Sequence, residues 1–407
     1  MCLMVLAAHR IHSMEAANQW ELKGYVKHFS VAFNAGKAGV LFGLPDRRLG
    51  LSSDRLRAGV RWHPGNLADF DLTYDAILRI QDPSLFSAVS DFGFQVPGGY
   101  RFADLSGYLI KPESGESVGL LQNLDRLNAA VHFGPADLFI GRQAIAWGSG
   151  RVINPTDVIA PFTFESLDTE DRRGVDAVRM RIPIGWMGEL DTGFLFGENG
   201  AWTNAAYIRA RQYLWQTDIA VLVMEFQGHA LAGWDFTRSV DGAGVWLEAA
   251  LVLPDAFRDQ SVGWNRSYWR ITAGSDYSFS NGLYGFLEYH FNGPGAGRPE
   301  AYLRNTAQTA YRTGRVYLLA RHYAMIGGQY QISPLWAARW QFIMNLNDGS
   351  LMIAPQISLS LAQNADLSGG LFRGVGDTVS GGGRLLSVGS EFGAYPQFVY
   401  CSFQFYY

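Results

Sequence analysis

The chain has 407 residues, 48% of them hydrophobic, 14% aromatic and 17% charged, with a formal net charge of -4. Soluble domains usually carry about 25% charged residues, yet the mean hydropathy of -0.02 shows the apolar residues balanced by polar ones. No stretch approaches the ~20 consecutive apolar residues of a transmembrane helix, and the small negative charge gives no basic footprint for nucleic acid.

Residues 1–18 begin MCLMVLAA, followed by His9 and Arg10. This is similar to the tail of a signal-peptide hydrophobic region without its basic segment, and Ala16 or Ala17 makes a poor cleavage site. The segment is set apart as a residual signal-like or disordered N-terminus, and residues 19–407 are read as one domain.

From there a period of two dominates. Leu56, Ala58, Val60 and Trp62 alternate with Arg57, Gly59, Arg61 and His63; Phe70 to Ile80 alternate with Asp71, Thr73, Asp75, Ile77 and Arg79. A first break spans residues 83–100. Leu127, Ala129, Val131 and Phe133 then oppose Arg126, Asn128, Ala130 and His132, and after a second break over 148–174, Val178, Met180, Ile182 and Ile184 oppose Arg179, Arg181 and Pro183. Trp269 to Phe279 face away from Arg270, Thr272, Gly274, Asp276 and Ser278, and Ser280-Asn281-Gly282 makes a hairpin turn, where Asn-Gly supplies positive φ cheaply. Leu283, Leu287, Tyr289 and Phe291 oppose Glu288, His290 and Asn292. A third break, 293–314, has a middle suited to a short helix. Trp336 to Leu346 alternate with Arg339, Gln341, Asn345 and Asn347, and Asp348-Gly349 turns the chain into Ile353 to Leu361.

Runs of about ten residues match tilted strands across a bilayer. A soluble antiparallel sandwich also alternates. It would not place Trp, Tyr and Phe near the ends of the apolar face while putting full charges on the other face of nearly every run. The expectation is an all-β transmembrane antiparallel up-and-down barrel of about 18 strands, within two either way. At the end, Val399, Cys401, Phe403, Phe405 and Tyr407 form one apolar face that runs to the last residue. A terminal aromatic on an alternating strand resembles the assembly signal that delivers barrels to the outer-membrane insertion machinery. Cys2 and Cys401 lie at opposite ends, and no structural disulfide is expected.

On these phases the inward arginines are Arg57, Arg61, Arg79, Arg126, Arg179, Arg181, Arg209, Arg211, Arg270, Arg321 and Arg339. The inward acids are Asp71, Asp75, Glu189, Asp191, Glu248, Asp276 and Glu288. Rings of charge lining a pore set ion preference, so this excess of arginine favours anions mildly. Cross-strand pairing would instead neutralise the lumen or close it. Catalytic signatures are missing: there is no G-x-S-x-G elbow and no H-E-x-x-H. Asn345 to Gly349 only echoes a calcium loop and reads better as a turn. Gly148-x-Gly150 and Gly374-x-Gly376 lack the third glycine of a nucleotide fold. No enzyme, cofactor or metal is expected.

One segment carries a family resemblance. Gly141-Arg142-Gln143, Trp147-Gly148-Ser149-Gly150, Asn154-Pro155-Thr156-Asp157 and Gly174-Val175-Asp176-Ala177-Val178-Arg179 follow in order. Residues 126–184 thereby resemble a porin-like family of bacterial outer-membrane barrels similar to alginate-export-type proteins. The resemblance implies a barrel in the outer membrane and names no solute. Physically, the segment reads as a strand ending in a folded-in loop, stiffened by Pro155 and Pro161, with Trp147, Asn154 and Asp157 as candidate constriction residues. Two functions follow. The first is a channel in the outer-membrane lipid for small hydrophilic solutes, with anions favoured by the arginine excess, gated by residues 148–174. The second is a structural sheath around a multihaem cytochrome, since the chain has no haem motif of its own.

Overall fold

The computed structural model describes residues 19–407, apart from 35, 37–38, 40–43, 46, 88–98, 103–106, 114, 163–165, 199, 201–202, 258–265 and 381–386. The N-terminal segment 1–18, with Cys2, lies outside the described residues, as does most of the break at 83–100.

Eighteen strands form the wall: β1 Gln19–Asn34, β2 Arg48–His63, β3 Ala68–Gln81, β4 Val118–His132, β5 Asp137–Gln143, β6 Val175–Ile184, β7 Gly188–Leu195, β8 Ala205–Leu214, β9 Thr217–Phe226, β10 His229–Val240, β11 Ala243–Leu253, β12 Tyr268–Ser278, β13 Leu283–Asn292, β14 His322–Gln331, β15 Trp336–Asn345, β16 Leu351–Ala362, β17 Ala365–Val375 and β18 Gln397–Tyr406. Each pairs antiparallel with its chain neighbours, and β18 pairs with β1 from Tyr25↔Tyr406 to Asn34↔Gln397. The sheet is a closed 18-stranded barrel. Closure removes the free edge that a bilayer would leave without hydrogen-bond partners.

Connections alternate in length. At one rim, with Gln19 and Tyr407, no connection exceeds the four residues of 64–67. Trp215-Gln216 and Asp241-Gly242 turn there with positive φ at both positions, matching the twist of two-residue hairpins. The expected turns also form, with Gly282 at φ 84° and Gly349 at φ 75°. The opposite rim carries the long loops, among them residues 293–321, which hold two single-turn helices, α1 Tyr302–Asn305 and α2 Thr309–Arg312.

Outward faces are apolar and end in aromatics; Trp20, Trp62 and Phe70 stack along the short-turn rim with ring centroids 5.2 Å apart. Two departures from simple alternation shape the interior. A bulge in β4 pairs Thr73 with Arg126 and Tyr74 with Leu124, so Asp125 is unpaired and points inward beside Arg126. β5 stops at Gln143, and a short strand, Gly107–Ile110, takes over the vacated edge of β4 at Leu120 to Gln122.

Tyr407 locks the seam. Its backbone exchanges hydrogen bonds with Gly24, and its hydroxyl donates to the Arg57 carbonyl at 2.9 Å. A Cβ on Gly24 would collide with that carbonyl and with the Tyr407 ring, whereas one on Gly50 meets only the Val31 carbonyl oxygen at 4.0 Å. Gly24→Ala is therefore expected to cost about 1–3 kcal/mol through overpacking, and Gly50→Ala less than about 0.5 kcal/mol. Urea titration of the heat-modifiable folded form checks both.

Candidate functional site, an inward loop across the lumen

Between Gln143 and Val175 the chain leaves the wall, and the described parts of 144–174 cross the interior. Three sets of contacts fasten them. The first is at the entry. Trp147 packs edge-on against Tyr207 with centroids 4.6 Å apart, and its indole N–H donates to Asp191 at 3.4 Å. Gly148 has φ 115°, and a Cβ on Gly148 or Gly150 would strike the loop's own Ile153–Asn154 turn. The spacing of Trp147, the two glycines and Asn154 is thus a packing requirement of a tight loop.

The second set is two buried carboxylates of the wall that accept a run of loop amides. Glu248 on β11 takes the N–H groups of Ser149 (3.0 Å), Gly150 (3.4 Å) and Thr156 (2.8 Å), with the Thr156 hydroxyl at 2.7 Å. Glu288 on β13 takes those of Arg151 (2.6 Å), Val152 (3.2 Å) and Ile153 (3.2 Å), together with the Trp246 indole at 3.1 Å. Thr272 and Arg270 donate to the Ile153 and Pro155 carbonyls. The Arg151 guanidinium pairs with Asp276 and lies 4.7 Å over the Trp246 ring.

The third set is ionic, at the exit. Asp168 pairs with Lys27 and Arg55, both at 3.0 Å, and Glu170 with Lys27 at 2.6 Å. Asp171 accepts from the Tyr25 hydroxyl at 2.6 Å, and Glu170 from Tyr406 at 2.8 Å. Lys27 is wholly buried, which a cation tolerates only when paired. Burial alone would raise the Asp168 carboxyl, but Lys27 and Arg55 hold it below its ordinary range. Asp125, turned inward by the bulge, accepts from Arg57, Arg126 and the Gly174 amide.

The inward arginines therefore fall into groups. Arg57, Arg61, Arg126, Arg179 and Arg181 pair with Asp75, Asp71, Asp125, Asp191 and Glu189 respectively. Arg79 is buried in the wall of β3. Arg321 departs from expectation: it precedes β14, is exposed at the long-loop rim and donates to the Gly295 carbonyl. Arg209, Arg211, Arg270 and Arg339 have no ion pair among the described residues.

Two spaces beside the loop are lined by charged side chains. One, of about 480 Å³, lies between residues 151–172 and strands β12–β18. Arg151 and Arg172 line it from the loop and Arg270 and Arg339 from the wall, with Asp157 as carboxylate. The other, about 380 Å³, lies between residues 146–149 and β8–β10, where Arg209 and Arg211 face Asp218 and Asp235. Asp157 pairs with Arg172 at 2.6 Å, yet burial outweighs that pull and pushes its carboxyl up to about 6.

Lys27, Arg55, Asp125, Arg151 and the loop acids 168, 170 and 171 escaped the reading by phase. Arg55 shares the parity of Arg57 and is reached by running the β2 alternation further back. A bulge and an irregular loop leave no periodic trace.

No protein-family model and no curated protein matches the chain. Solved structures share its fold. OccAB2 of Acinetobacter baumannii superposes with a TM-score of 0.57 at 9% identity, covering 96% of this chain and 98% of that one. OccD3 (OpdP) of Pseudomonas aeruginosa gives 0.54 at 9%, covering 97% and 92%. OpdQ, also from P. aeruginosa, gives 0.53 at 9%, covering 95% and 97%. At these identities the likeness is one of fold.

Glu288→Ala strands three loop amides, at about 1–3 kcal/mol each if they stay buried, so the loop detaches from β13 instead. Limited proteolysis is expected to cut residues 150–162 in this variant and to spare them in the native chain.

Proposed function

We propose that this barrel is a diffusion channel of the bacterial outer membrane for small hydrophilic solutes, with a preference for anions. The neighbours in fold are outer-membrane porins of Gram-negative bacteria. An apolar outer wall with aromatic rims, short turns together with both described chain ends at one rim and long loops at the other fit that setting. Delivery to the insertion machinery through Phe403, Phe405 and Tyr407 belongs to the same reading, since Phe403 and Phe405 share the outward face of β18 and Tyr407 follows it in the same phase. The observation that carries the anion preference is the 480 Å³ space, where Arg151 and Arg172 are matched by Asp276 and Asp157 while Arg270 and Arg339 have no ion pair among the described residues. Arg339 is the most available of them. It is exposed to the lumen, and its hydrogen bond is to Gln329 at 2.9 Å.

The mechanism needs no cofactor. A solute leaving bulk water for a narrow passage loses part of its hydration, and fixed guanidiniums replace it for an anion while repelling a cation. The paired arginines on β2–β7 contribute little field, because each is matched by an acid at contact distance. The alginate-export-type resemblance of residues 126–184 supports the inward-folded loop rather than a solute, since its motif residues serve the loop's packing. The sheath reading draws no support from the interior. The described parts of 144–174 occupy the space a lumenal cytochrome would need.

In a planar bilayer under a salt gradient, reversal potentials are expected to show anion selectivity, and clear cation selectivity contradicts the reading. Arg339→Gln is expected to lower the anion-to-cation permeability ratio about twofold or more with the barrel intact. The ratio also depends on pH. Because the Asp157 carboxyl stands at about 6, it is charged at pH 7 and protonated at pH 5. The passage then loses its carboxylate, so anion preference rises as pH falls through about 6. Asp157→Asn holds the low-pH ratio throughout, and a flat native profile refutes this role.

A further inference from the structure

On the outer wall, at the long-loop rim of the seam, four polar side chains stand in one row. Gln397 pairs with Asn34 and Asn34 with Arg48, while Arg373 follows Phe372, the partner of Phe398. The row therefore reads Arg373, Gln397, Asn34, Arg48 across β17, β18, β1 and β2, and all four are exposed. Strand spacing of ~4.8 Å puts the two arginine backbones about 14 Å apart. The next outward row is Leu371, Val399, Ala32 and Gly50; the one below is Gly369, Cys401, Ser30 and Ser52. Ala32, Leu371 and Val399 line a groove of about 380 Å³ with a mostly apolar lining, and both arginines border it. Neither guanidinium has an ion pair or hydrogen bond among the described residues. The adjacent Arg47 pairs with Asp82 at 2.9 Å.

We propose that this groove binds one phosphorylated acyl lipid of the outer leaflet. Guanidinium groups recognise phosphate oxygens with paired N–H donors, and two flanking the mouth of an apolar groove suit an anion with an acyl chain attached. The phosphate sits on Arg48 and Arg373, the Asn34 and Gln397 amides donate to its remaining oxygens, and a chain lies over Leu371, Val399 and Ala32. A free phosphate would use the arginines without the groove. A second copy of the chain is the competing occupant, because His28 and Asp54, bonded to each other at 2.7 Å lower on the same wall, form a polar patch. The unpaired guanidiniums and the apolar groove favour the lipid. The inference rests on the outer-membrane reading, with the long loops on the external side.

Native mass spectrometry of the full chain in detergent tests it, with bis-phosphorylated lipid A and its dephosphorylated counterpart as probes. The native chain is expected to retain one phosphorylated lipid. The Arg48→Gln/Arg373→Gln double variant, with exposed and unpaired positions, is expected to bind about tenfold more weakly or worse while keeping native conductance. The dephosphorylated lipid is expected to bind the native chain equally weakly. Undiminished binding by the variant, or retention indifferent to phosphate, overturns the proposal. So does cross-linking of two copies through Ala32→Cys. A conducting barrel that holds no lipid removes the site and leaves the channel standing; a lipid-bound barrel without conductance does the reverse.

Discussion

Two carboxylates hold the interior of this barrel in place. Glu248 and Glu288 stand on wall strands, are fully buried, and between them accept the amides of residues 149–153 and 156. A loop inside a lumen has a supply problem, since its backbone donors lose water without gaining a sheet. Here the wall supplies the acceptors. The loop amides in turn solvate two acids that would otherwise be costly to bury. Each half needs the other.

The far end of the loop uses charge. Asp168, Glu170 and Asp171 settle on Lys27, Arg55, Arg57 and Tyr25 near the seam, at contact distances throughout. This neutralises the side of the lumen where basic residues are densest in sequence. Arginines without an ion pair among the described residues then lie across the interior, Arg270 and Arg339 beside the larger space and Arg209 and Arg211 beside the smaller one. Counting arginines against acids along the strands does not locate that charge, because the loop decides which cations stay unpaired.

Much of the wall was legible because a strand's two faces meet different solvents. Leu287, Tyr289 and Phe291 face outward and Glu288, His290 and Asn292 inward by parity alone, and Asn281-Gly282 and Asp348-Gly349 turn where their φ tolerance suggests. The interior was less legible. The bulge at Asp125 shifts parity by one residue, which no alternation predicts. Arg321 keeps the inward parity of β14 yet stands one residue before the strand, so its side chain belongs to the rim. The expected constriction residues are Trp147, Asn154 and Asp157. Asn154 and Asp157 border the larger space and Trp147 the smaller one, where it packs against Tyr207. Distances between loop and wall arise from three-dimensional closure, and residues 92 or more positions apart, such as Thr156 and Glu248, leave no pattern along the chain.

These contacts fasten the inward loop as firmly as the strands. Hydrogen–deuterium exchange of the folded barrel tests this most directly. The amides of Arg151, Ile153 and Thr156 are predicted to be protected roughly a hundredfold or more over an open chain, comparable with their neighbours in β11 and β13. Exchange of these amides at open-chain rates, with the strands still protected, would contradict a fixed loop and with it a passage whose charge the loop determines.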